Sequence, residues 1–154
     1  MKIKCELLGM GEVLSEIKSM SVKVDKGVKE KVKHCALRIE ARTKDALRSL
    51  EAVDTGNLSR SYTTEMTDGG RTAEVGSVLL YALFVEFGTR PHFPPMEALE
   101  SWARRHGFES AWPVCKAIAE KGLQARPHLF PAFEATVSDF LAELRDMLEK
   151  GGGR

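Results

Sequence analysis

Residues 22–50 read VKVDKGVKEKVKHCALRIEARTKDALRSL. Val28, Val32, Cys35, Ile39, Ala46 and Leu50 recur at steps of three, four or seven, the period of a helix with one apolar face. No proline interrupts the stretch, and the first in the chain is Pro91. Ser21 stands where an N-cap oxygen would take up a free N–H of the first turn. The spacing predicts one long helix over about 22–50. Its other face is basic: from Lys23 to Arg48 there are nine Lys or Arg against four acids, a local excess of five positive charges.

Upstream, Ile3, Cys5 and Leu7 alternate with Lys2, Lys4 and Glu6, the period of a half-buried strand. Gly9-Met10-Gly11 breaks it, and Val13, Leu14, Ile17 and Met20 predict a short helix. Downstream, AVDTGNLSRS (52–61) ends the long helix. Asp and Thr side chains bond nearby backbone N–H groups and Gly accepts left-handed dihedrals, so Asp54-Thr55-Gly56-Asn57 predicts a turn, with Thr55 capping a helical turn through Asn57, Leu58 and Ser59. SYTTEMT and RTAEVGSV flank Asp68-Gly69-Gly70 and predict a β-hairpin at about 61–67 and 71–77.

In LLYALFVEFGT, the spacing of Leu80, Leu83, Phe84 and Phe87 predicts a short helix stopped by Gly88. Pro94 and Pro95 suit the first turn of another. Met96, Leu99, Trp102 and Ala103 form its apolar stripe and Gly107 its end. Ala111, Cys115, Ile118 and Ala119 mark a second helix that stops at Gly122, which makes residues 94–122 an inserted helical hairpin. Pro131 is the expected start of the last helix, with Phe133, Val137, Phe140, Leu141, Leu144 and Leu148 on its apolar face. Residues 132–150 hold five acids and two bases, an excess of three negative charges. Gly151 to Arg154 read as a flexible tail. The fold class is α+β. A small antiparallel sheet, built from the N-terminal strand and the hairpin, packs against the long and the C-terminal helices in a single domain over 1–150.

Composition narrows the function. The chain has 154 residues, 43% hydrophobic and 29% charged, the profile of an ordinary globular domain. A net charge of +1 announces neither a nucleic-acid nor a membrane partner. Cys5, Cys35 and Cys115 are odd in number and far apart, which fits reduced structural thiols better than a disulfide framework or a zinc ribbon. No leader-like apolar run and no stretch near ~20 apolar residues is present, so the expectation is a soluble protein made in a cytoplasm. The basic and acidic helices are complementary. Either they pack together, within or across subunits, or the basic face turns Lys29, Lys33, Arg38 and Arg42 toward DNA.

Catalytic readings fare poorly. Asp54-Thr55-Gly56 is the tripeptide of aspartic proteases, but such a site pairs two carboxylates in a β-rich scaffold, and here the tripeptide follows a long helix. No nucleophile elbow and no phosphate loop occurs. His34, His92, His106 and His128 never pair at three or four residues' spacing. Arg-Pro-His occurs twice, at 90–92 and 126–128, and would need His92 and His128 to meet for a metal site, with His106 or Cys115 completing it. No cofactor or metal is expected. Glu86 stands among large apolar residues and reads as a structural carboxylate bonded to backbone N–H groups, Arg90 or Arg126.

Three ordered phrases carry a resemblance. They are Val53-Asp54-Thr55-Gly56-Asn57-Leu58 with Ser61, Tyr81-Ala82-Leu83-Phe84-Val85-Glu86-Phe87-Gly88-Thr89, and Ala125-Arg126-Pro127-His128-Leu129-Phe130-Pro131-Ala132. Together they resemble the small tail-completion proteins of long-tailed bacteriophages and prophages, which are also labelled neck, head–tail joining or minor tail proteins. The resemblance runs from about residue 5 to 148, and the middle phrase is its most specific part. Ala52-Val53 departs from the family's proline-containing lead-in, His128 stands where an aromatic is common, and the 94–122 hairpin is extra to the shortest members. The resemblance implies a non-enzymatic structural protein whose ring, of hexameric or other size, contacts other neck or tail proteins and encloses DNA. It would be assembled in the host cytoplasm and carried in the virion. It implies structural roles for Asp54, Thr55, Gly56, Leu58, Tyr81, Glu86, Phe87, Gly88, Thr89, Arg126, Pro127 and Pro131. A nucleic-acid-binding module using helix 23–48 is the alternative from another class, and an aspartic protease-like enzyme is the third.

Overall fold

The computed structural model describes residues 22–50 and 54–151. The expected strand at 3–7, the helix at 13–20, the Ser21 cap and residues 152–154 of the tail lie outside the described residues. The elements run α1 (Val22–Ser49), α2 (Asn57–Ser61), β1 (Tyr62–Thr67), β2 (Thr72–Ser77), α3 (Tyr81–Phe87), α4 (Met96–Arg105), α5 (Trp112–Lys121) and α6 (Leu129–Gly151), with a 3-10 turn at Asp68–Gly70. This is the expected α+β architecture, with a two-stranded antiparallel sheet among the described residues.

The buried stripe of α1 is Val28, Val32, Cys35, Ala36, Ile39, Thr43 and Leu47. Ala46 is only half-buried and Leu50 is exposed, so the C-terminal end of the apolar face lies one step round from where apolar letters alone put it. The stripe passes through Thr43 to Leu47, and the Thr43 hydroxyl is satisfied inside the core by donating to the Ile39 carbonyl at 2.7 Å.

α6 packs along α1, and its Phe140 and Leu144 share one core with the α1 stripe, Tyr62, Val75 and Leu129. Charge flanks the seam. Lys31 and Arg38 both bond Glu143, at 2.9 and 2.8 Å, while Arg42 bonds the Thr136 hydroxyl at 2.9 Å and Asp139 at 3.2 Å. The basic and acidic helices therefore pair within one subunit. These pairs are partly solvated and fix register more than they add stability. Leu141 is exposed, because the stripe of α6 runs Leu129, Ala132, Thr136, Phe140, Leu144.

β1 and β2 pair from Tyr62↔Ser77 to Thr67↔Thr72. Tyr62 and Val75 face α1 and are buried. Thr64 donates to Glu40 of α1 at 2.6 Å, and Arg71 clamps Asp25 at 3.0 and 2.7 Å. The sheet is thus pinned to α1 at both ends.

The inserted hairpin is set off by a stem. Thr89 and Leu123 form an antiparallel bridge, with N–H···O distances of 2.9 and 3.2 Å and a further bond from Leu123 N–H to the Thr89 hydroxyl at 3.0 Å. Gly88 (φ 69°) and Gly122 (φ 75°) flank it. A Cβ on Gly122 would lie 2.1 Å from the Thr89 carbonyl oxygen, and one on Gly88 2.4 Å from that of Leu123. The excursion therefore spans 89–123, wider than its two helices. Ala103, Ala111 and Cys115 form its own small core, with Met96, Leu99 and Trp102 packed against them.

Gly122→Ala combines positive φ with a backbone clash, so it should destabilise by about 3 kcal/mol or more, whereas Gly69→Ala, at positive φ but in open space, should cost about 1 kcal/mol. Urea midpoints of the two variants check the difference.

Candidate functional site: a buried carboxylate at a helix start

α3 is built inside out. Its buried residues are Ala82 and Glu86, while Leu80, Tyr81, Phe84 and Phe87 face solvent at 58, 43, 45 and 59% exposure. The spacing of Leu80, Phe84 and Phe87 does mark a helix, but that apolar face points outward. An ionised carboxylate is buried instead because its bonds are waiting for it.

Those bonds come from the start of α6. Glu86 Oε2 accepts the N–H of His128 at 2.9 Å and of Leu129 at 3.0 Å, and Oε1 accepts that of Phe130 at 3.0 Å. The next residue, Pro131, has no N–H. It sits third in the helix rather than first, so α6 begins two residues before the expected start. The carboxylate also faces the positive end of the helix dipole.

His128 completes the cluster. Its Nδ1 lies 2.9 Å from Glu86 Oε2 and 2.8 Å from the Arg126 carbonyl, so it faces two acceptors and carries the hydrogen. Nε2 then accepts the Tyr62 hydroxyl at 2.7 Å, and the two rings meet edge to face at 5.4 Å. Burial alone would push the Glu86 pKa up, but the bonds from His128 and the three backbone N–H groups outweigh it and bring the value down to about 2. Tyr62–His128–Glu86 has the order of an acid–base relay. All three are at most 2% exposed, so the geometry is that of a cap and offers no surface to a substrate.

Of the expected partners of Glu86, the backbone N–H groups are the ones found. Arg126 instead donates its backbone N–H to the Val85 carbonyl at 2.7 Å and its guanidinium to that of Leu50 at 3.4 Å. The two Arg-Pro-His copies share a local bend: His92 Nδ1 lies 2.9 Å from the Arg90 carbonyl, as His128 Nδ1 does from that of Arg126. His92 is exposed and His128 buried, and no cluster of three potential metal ligands exists among the described residues. Cys35 and Cys115 are buried free thiols, and burial pushes Cys35 up to about 11.

The Asp54 carboxylate reaches beyond its own turn. It takes Arg105 Nε at 3.1 and 3.0 Å, a second guanidinium contact through Nη2, and His106 Nε2 at 3.3 Å. That holds it ionised below the usual carboxylate range. The turn is made by its neighbours: Thr55 Oγ1 accepts the Asn57 N–H at 3.4 Å, Gly56 (φ 77°) precedes α2, and Leu58 is buried. Of the four cations assigned to DNA, Lys29 pairs with Asp25, Arg38 with Glu143 and Arg42 with Asp139, while Lys33 is exposed. Sequence reasoning missed the Tyr62–His128 contact, which joins positions 66 apart, and the outward turn of α3. The acid at Glu86 was the available signal for the latter, since it had to face the core.

A family model described as "Bacteriophage HK97-gp10, putative tail-component" matches residues 11–88, half of the chain, and ends at the first stem glycine. No curated protein and no solved structure matches the chain.

The folded value of Glu86 lies below its ordinary 4.5, so its ionised form favours the fold. That contribution is complete above about pH 4.5 and is lost as pH falls toward 2. Glu86→Gln should cost on the order of 3 kcal/mol at pH 7. The gap to wild type in urea midpoints should then narrow steadily between pH 5 and pH 2.5.

Proposed function

The chain belongs to the HK97-gp10-like family of bacteriophage tail components, and on that footing we propose that it completes the tail, or joins it to the head, as a closed ring of identical subunits, for which a hexamer is the expected size. The observation that carries this reading is the outward apolar ridge of α3. Leu80, Tyr81, Phe84 and Phe87 stand clear of the core, and Phe130 at the start of α6 meets Phe87 with ring centroids 6.3 Å apart. Contiguous apolar relief of this kind marks an interaction surface. Glu86, on the opposite side of the same helix, holds the ridge rigidly to the body. A ridge meeting a different patch of the next copy is a heterologous contact, the kind that closes rings.

Protein contacts carry the role, with the chain itself and with neighbouring neck or tail proteins. Three of the four α1 cations considered for DNA, Lys29, Arg38 and Arg42, are bonded to carboxylates, which weighs against the DNA reading. The product would be a virion component assembled in the host cytoplasm.

Phe84→Asp with Phe87→Asp changes exposed positions and should leave the circular dichroism spectrum intact. It should abolish self-association and capture by the cognate neck and tail proteins in native mass spectrometry. Assembly of the double variant at wild-type level would sink the proposal, as would a wild-type chain that bound neither itself nor those proteins.

A further inference from the structure

We propose that the inserted hairpin is a latched arm, held against the body by the Asp54–Arg105 ion pair and turning about its glycine stem when that pair opens. This does not depend on the ring reading. The two apolar clusters share no residue: one lies between α1, the sheet and α6, the other between α4 and α5. Asp54 ties the body to the arm through Arg105 and His106. Within the arm the bonds are its own. Phe108 N–H reaches back to the Ala103 carbonyl at 2.9 Å, the Ala111 N–H to Glu100 at 3.2 Å, and the His92 N–H to the Ile118 carbonyl at 3.4 Å.

The stem keeps the arm intact while it turns. Thr89 and Leu123 hold each other, and the flanking Gly88 and Gly122 sit at positive φ, where few residues other than glycine could follow a change of direction. The latch differs from the stem in its solvation. Asp54 and Arg105 side chains are 26 and 44% exposed, so water and salt reach them. An exposed bidentate pair of this type biases its equilibrium by about fivefold. The motif Asp54-Thr55-Gly56 therefore supplies the body's half of a switch, and the arm carries with it the exposed ring pair Phe93–Trp112, whose centroids are 5.6 Å apart.

Residual dipolar couplings of the isotope-labelled full chain test this. In the wild type, amides of 93–121 and of the main core should fit one alignment tensor. In Asp54→Asn and in Arg105→Gln, the hairpin couplings should shrink and need a second tensor, while core shifts stay in place. The charge-reversed double variant Asp54→Arg with Arg105→Asp should restore the single tensor. About 1 M salt, where screening acts over about 3 Å, should loosen the wild type in the same sense without any substitution. One unchanged tensor in both single variants and at high salt overturns the proposal. So does a wild type that already needs two tensors, or a loss of order spread equally over both cores.

Discussion

The first N–H groups of a helix have no partner within it, and α6 delivers its own to the two oxygens of Glu86. The supply and the demand match. Three N–H groups are taken up, and the fourth position is Pro131, which has none to offer. A buried carboxylate without partners would be costly, and a buried helix start without acceptors equally so. Each removes the other's penalty. Because Glu86 stands on α3 and His128 reaches Tyr62 on β1, the same few atoms fix a short helix, a long helix and the sheet to one another. The outward face of α3 follows from this, for a seven-residue helix anchored through Glu86 must turn Leu80, Phe84 and Phe87 the other way.

Periodicity made most of the fold legible. The long helix, the hairpin around Asp68-Gly69-Gly70, the two helices of the insertion and the glycine stops appear where spacing and turn chemistry put them. What escaped was of one kind: the consequence of where a polar side chain finds its partner. Thr43 continues the stripe of α1 through a bond to its own helix. Glu86 turns α3 over. Asp54 looked sufficient for a local turn, yet its partners lie at Arg105 and His106, about fifty residues on. A sequence displays hydrophobicity position by position, whereas satisfaction is a property of pairs, and the partners of Glu86 and Asp54 are distant in the chain. The complementary charges of the first and last helices were readable as a pairing, since charge, unlike satisfaction, is visible in each partner separately.

Two surfaces with different physics result. Along the α1–α6 seam, opposite charges neutralise each other inside the subunit, and association there has little to gain. Along α3 the relief is apolar and backed by a rigid anchor. The chain belongs to a family of phage tail components, and the apolar relief of α3 is the surface on which the proposed contacts rest.

The stem of the insertion also bears on how the chain finds its fold. Glu86 and His128 are 42 positions apart, and almost all of that contour belongs to the excursion between Thr89 and Leu123. Closing a loop of that length costs entropy before any contact rewards it. Once the hairpin has formed locally and zipped its two ends together, only a handful of residues on either side separate the carboxylate from the helix start it caps. The excursion thus drops out of the search. The cost of its length is then met in closing the Thr89–Leu123 stem, and only weakly, as the logarithm of that length, so the step that docks α6 is separated from the size of the module carried there.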